Sequence, residues 1–126
     1  MNAAKSIWLF GYYVIAMGLI LLFIPHIILD FAGLTPVNPE HRFIYHIVGL
    51  IASVVGLYYV HCGKTNQREF FKISVVGRMV FFVGAIVVVL LTSSNPKLAI
   101  IGITDLLGAA WTYWALKKDE KNNFLK

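Results

Sequence analysis

The chain has 126 residues, 59% apolar and only 13% charged, with a mean hydropathy of +0.75. Soluble domains carry about 25% charged residues, so this composition excludes a disordered chain, a collagen-like repeat and a nucleic-acid-binding globule despite the formal charge of +5. A single cysteine, Cys62, excludes an internal disulfide framework and a cysteine-based zinc site.

A membrane-spanning helix needs about 20 mostly apolar residues, and four runs meet that requirement. The first covers 7–29. It is longer than the ~7–15-residue core of a signal peptide and no small-x-small site follows it, so it reads as a retained span. Pro25, near its outer end, predicts a kink or an early stop. A loop with Pro36 and Pro39 leads to the second run, 43–62, and a polar link to the third, 70–92. Asn95 and Pro96 break the chain before the fourth run, 98–116. No period-two alternation points to a β-barrel. The expected fold is all-α, a four-transmembrane-helix antiparallel bundle, with 1–126 as one integral membrane domain.

Basic residues orient the spans. Lys5, Lys64, Arg68, Lys72, Lys117, Lys118, Lys121 and Lys126 fall on the side that holds both termini, against Arg42 and Lys97 on the other. Both termini are therefore expected in the cytoplasm, with the charge drawn to anionic lipid. Nucleic acid is set aside as a partner.

Small residues recur seven apart in every span: Gly11 and Gly18, Gly49 and Gly56, Gly77 and Gly84, Gly102 and Ala109. Seven residues are close to two helical turns, so each pair shares a face suited to close helix contact, within the bundle or between two copies.

Two charges lie inside the spans. Arg78 falls about 10 Å from the cytoplasmic boundary and Asp105 about midway through the fourth span, an axial offset of about 6 Å. Either charge alone in hydrocarbon costs at least ~2.5–3.5 kcal/mol, so a salt bridge joining the third and fourth spans is one reading. Another is that Arg78 binds an anionic ligand or headgroup, or that Asp105 relays protons. Tyr12, Tyr13, Tyr58, Tyr59, Trp111, Thr112 and Tyr113 share the depth of Arg78. They belong either to the interfacial aromatic belt or to a chamber suited to a flat amphipathic ligand such as a quinone or lipid head.

His46 shares a helix face with Gly49, Ser53 and Gly56 and is expected to look into the bundle. His26 and His41 lie on the same outer side, but no acidic or cysteine partner at i+3 or i+4 supports a metal site. For a haem, His46 and His61 lie about 22 Å apart on one helix. That leaves only His26 with His46, a pairing that is not favoured.

The chain resembles the small four-span membrane proteins grouped as DoxX-like. The resemblance is carried by Phe23, Ile24 and Pro25 running on to Ala32, Gly33 and Leu34, and by Arg42 ahead of His46, Ile47, Val48 and Gly49. Gly56, Leu57, Tyr58 and Tyr59 follow, then Gly77 and Arg78, and finally the run from Asp105 to Trp111. It implies a four-helix membrane fold, with some members being subunits linked to quinone-dependent oxidation, and it transfers no catalytic residue. No phosphate loop, nucleophile elbow or zinc-protease pattern is present.

The expected function is a small non-catalytic membrane protein that binds a lipophilic or amphipathic ligand, or a membrane partner, in a polar pocket around Arg78 and Asp105. Its site residues are Arg78, Asp105, Tyr12, Tyr13, Tyr58, Trp111 and His46. The alternatives are a subunit of a quinone-linked oxidoreductase and a small dimeric transporter using Asp105.

Overall fold

The computed structural model describes residues 2–33, 42–92 and 97–125. Leu34, Pro36, Pro39, His41, Asn95, Pro96 and Lys126 fall outside the described residues. Within them the chain forms five helices and no strand: α1 Ala3–Phe23, α2 Pro25–Phe31, α3 Arg42–Lys64, α4 Arg68–Thr92 and α5 Leu98–Phe124. All but α2 are long and apolar enough to cross a membrane. The protein is a small multi-pass membrane protein.

The first run is not one helix. Asn2 caps α1 by accepting from the Lys5 amide, and α1 stops at Phe23. Pro25 has no N–H to give Leu21 and its ring clashes with that carbonyl, so the helix breaks and restarts with Pro25 at its first position. Gly33, at φ 69°, takes the left-handed position that closes α2. The opposite departure occurs in α5, which continues beyond residue 116 through the charged stretch to Phe124. That tail is charged and almost wholly exposed, so the apolar run ends before the helix does.

The α3–α4 turn is set by Asn66, in the left-handed region at φ 54°. Its amide donates to the Gly63 carbonyl and that of Gln67 to the Cys62 carbonyl. This is the paired C-terminal motif that asparagine tolerates because its short polar side chain eases the left-handed conformation.

The helices associate as two antiparallel pairs, α1 with α3 and α4 with α5, joined mainly where α1 runs along α5. Glycine makes the first pair. A Cβ at Gly11 would lie 2.7 Å from the Val60 amide nitrogen and one at Gly56 2.8 Å from the Gly11 carbonyl. Likewise a Cβ at Gly18 would lie 2.6 Å from the Ser53 nitrogen and one at Gly49 2.5 Å from the Leu22 nitrogen. The backbones touch, which is how membrane helices gain van der Waals attraction where no hydrophobic drive exists. Gly63 continues the ladder against Trp8.

The same spacing in α4 does something else. Beta carbons on Gly77 and Gly84 would meet nothing within 4 Å, so the expected small-residue face of this helix points away from the bundle. Gly102 is looser too, its nearest neighbour being Phe82 at 3.3 Å. At the end carrying the termini, Ala3, Ile7, Phe71, Ala115 and Leu116 form a buried apolar cluster. The Ala3 amide donates to Asp119 Oδ2 at 3.1 Å, which places both chain ends on one side.

Candidate functional site

Directly beneath that apolar cluster lies a polar layer built from three helices. On α4, Phe71, Ser74 and Arg78 follow one another at helical spacing and are all buried. On α5 the facing positions are Thr112, Gly108 and Asp105, and α1 contributes Ser6, Phe10 and Tyr13. Arg78 is only 3% exposed, a placement rare for a guanidinium unless something satisfies it.

Four residues surround it. The Phe10 ring centroid lies 3.6 Å from Cζ on one side, and the Tyr59 centroid lies 5.1 Å away. A desolvated stack of this kind contributes ~2 kcal/mol or more. Nη1 donates to Thr112 Oγ1 at 3.3 Å. Gly108 gives the guanidinium room, because a Cβ there would fall 3.1 Å from Nη1 and 3.1 Å from Phe10 Cδ2.

The hydroxyls form a directed chain. Ser6 Oγ donates to the Ala3 carbonyl at 2.7 Å. A hydroxyl has one proton, so in the 3.0 Å contact between Ser6 and Thr112 the threonine donates. Thr112 thus accepts from Arg78 and donates to Ser6. By the same reasoning Thr104 Oγ1 gives its proton to the Ile101 carbonyl and accepts from the Tyr13 hydroxyl at 3.2 Å.

The remaining edge of the guanidinium is unsatisfied. Arg78 Nε and Nη2 are buried and have no hydrogen-bond partner. Asp105 does not fill the gap. The ion pairs formed within 4.0 Å among the described residues are Arg68 with Asp119 and Lys72 with Glu69. The salt bridge read as one option from the sequence is therefore not made. Asp105 is half-buried, one helical turn from Gly108 on the face that carries Thr112.

The other sequence-predicted residues divide. Tyr13 reaches the layer through Thr104. Tyr12 is 47% exposed, meets the Trp8 ring edge-on and lies 5.6 Å beneath Lys64 Nζ. Tyr58, at 60% exposed, points away from the bundle, whereas its neighbour Tyr59 points in. Trp111 is half-buried and takes no part in the stack on Arg78. Among the described residues these aromatic side chains do not close a chamber around Arg78.

His46 sits far from Arg78. Its Nδ1 hydrogen-bonds the Leu22 carbonyl, about 18 Å along α1 from Phe10. A carbonyl only accepts, so Nδ1 carries the proton. The reason lies in Pro25: the α1 break frees the last carbonyls of the helix, and His46 satisfies one of them. Among the described residues no three His, Cys, Asp or Glu side chains converge. Phe10, Ser6 and Gly108 are site residues that the sequence reading missed. Their signal is position, since each lies at helical spacing from a residue of the polar layer. Compared with protein-family models, curated proteins and solved structures, the chain matches none of them.

Proposed function

We propose that this membrane protein binds the acceptor-bearing head of a lipophilic or amphipathic ligand at Arg78. The observation that carries this reading is the pair of buried, unpartnered nitrogens, Nε and Nη2. They lie on one edge of the guanidinium, where two parallel N–H bonds match a carboxylate, a phosphate or a carbonyl oxygen. Each unsatisfied buried donor costs ~1–3 kcal/mol, more when charged, on top of the insertion cost of the arginine. A purely structural clasp between α4 and α5 needs none of this. Phe10 stacks on the group, Tyr59 lies beside it and Thr112 holds Nη1, so Nε and Nη2 are the donors that remain for a ligand. A quinone carbonyl is one such acceptor, which is where this reading meets the DoxX-like resemblance and a role beside an oxidoreductase partner. The eight-to-two bias of basic residues supports cytoplasmic termini, with Arg78 nearer that leaflet.

Asp105 favours a second reading, a small transporter. It is a half-buried carboxylate within a span that makes no ion pair among the described residues, as suits a coupling group.

Native mass spectrometry of the full chain, released gently from its membrane, tests the first reading. A bound acidic or carbonyl-bearing lipophile is expected with the native chain and with Asp105→Asn, and is lost in Arg78→Gln. Equal occupancy in Arg78→Gln refutes it. Proton-coupled uptake that Asp105→Asn abolishes favours the second.

A further inference from the structure

A second polar feature lies at the end of the bundle that carries the termini, apart from Arg78. Here the start of α1, the α3–α4 turn and the end of α5 border an open surface cleft of about 690 Å³. Lys5, Lys64 and Arg68 line it, with Asn66, Trp8 and one carboxylate, Asp119. Asp119 is already engaged: its Oδ2 accepts from the Ala3 amide and lies 3.9 Å from Arg68. Among the described residues the Lys5 and Lys64 ammoniums make no ion pair, Lys64 lying over the Tyr12 ring. Three cations against one occupied acid give the cleft a net positive charge.

We infer that this cleft binds a phosphate ester, presented by the headgroup of an anionic phospholipid. The height fits: the cleft opens where α1 and α4 begin, just beyond the apolar spans, at headgroup level. The chemistry fits as well. Ammonium groups and a guanidinium supply charge-assisted donors to phosphate oxygens, and side-chain amides add neutral ones. Trp8 offers a ring to the acyl–headgroup boundary, where indoles concentrate. Local geometry holds the cations in place. Asn66 fixes the turn between Lys64 and Arg68 through its left-handed backbone, and Gly63 lets that turn settle against Trp8, 2.7 Å from the position of a Cβ.

The test must separate a built site from the general attraction of a basic surface, which is worth about fivefold in binding for each cation near an anionic membrane. The full chain is reconstituted in phosphatidylcholine nanodiscs with and without phosphatidylglycerol. Retained phosphatidylglycerol is then counted by native mass spectrometry, with thermal unfolding as the check on folding. Two triple variants remove the same charge from the same side. One is Lys5→Gln, Lys64→Gln and Arg68→Gln; the other is Lys117→Gln, Lys118→Gln and Lys121→Gln.

The cleft set is expected to lose retention by at least about tenfold more than the tail set, because it loses direct phosphate bonds as well as field. Equal losses, or none in the cleft set, overturn the inference. Should the triple variant fail to fold, Lys5→Gln with Lys64→Gln, both exposed, carries the same comparison against Lys117→Gln with Lys118→Gln. Added glycerol 3-phosphate separates the sources. If it leaves the lipid bound, the headgroup in its membrane setting is the ligand, as inferred; if it displaces the lipid, a free phosphate ester suffices and the assignment to lipid falls. Arg78→Gln should keep its phosphatidylglycerol. Loss there, with retention in the cleft set, moves the lipid to Arg78 and removes this inference alone.

Discussion

Glycine substitutions in α1 and α4 should have opposite signs, although the spacing is identical. A Cβ at Gly18 would stand 2.5 Å from Ser53 Oγ, 2.6 Å from the Ser53 nitrogen and 2.8 Å from the Gly49 carbonyl. The last two are backbone atoms of α3 and do not move alone. Restoring ordinary contact requires the α1–α3 pair to separate by about 1 Å, and overpacking of this kind costs ~1–3 kcal/mol. Alanine returns up to ~1 kcal/mol of helix propensity, so Gly18→Ala should be destabilising by a net amount of up to about 2 kcal/mol. In Gly77→Ala and Gly84→Ala the new methyl meets nothing within 4 Å, so only the propensity gain remains and stability should hold or rise by up to ~1 kcal/mol. Gly18→Ala combined with Gly49→Ala should cost less than the sum, because one separation relieves both contacts. Circular dichroism during denaturant unfolding in mixed micelles measures these variants and Gly49→Ala alone. Equal signs for Gly18→Ala and Gly77→Ala would refute the assignment of the tight seam to α1 and α3.

Thr112→Val removes both the acceptor for Arg78 and the donor to Ser6, and should lower stability by ~1–3 kcal/mol; Thr112→Ser should retain most of it in the same unfolding assay. A double-mutant cycle of Arg78→Gln with Asp105→Asn should show coupling near the low end of the ~0.5–3 kcal/mol range for interacting sites, since no ion pair joins them; coupling near 3 kcal/mol would show a direct bond. A cysteine introduced at Thr35 in a Cys62→Ser background should be labelled from outside intact cells. Labelling only after permeabilisation reverses the orientation.

Hydropathy located all four spans, because the bilayer demands length and apolarity and nothing subtler. Pro25 likewise announced the end of α1, since a missing N–H acts locally. Helix rotation is what sequence does not encode locally. Tyr58 and Tyr59 differ by about 100° on one helix, and only the packing of α3 on α1 decides which of them turns inward to Arg78. The Gly77 and Gly84 pair shows the same limit: the spacing marks a face but not whether a partner covers it. Arg78 and Asp105 share a depth range without touching, because an arginine stacked on Phe10 and tied to Thr112 is directed elsewhere.

The position of Phe10, Tyr59 and Thr112 along the chain also sets an order of events during synthesis. Both aromatic groups precede Arg78, so the α1–α3 hairpin can be in the bilayer before α4 enters, and the guanidinium meets its rings on arrival. Its hydroxyl partner follows 34 residues later, which at about 5–20 residues per second is a delay of roughly 2–7 s. For that interval the charge rests on π faces alone, and the start of α1 waits for the last helix to bring Asp119 to Ala3.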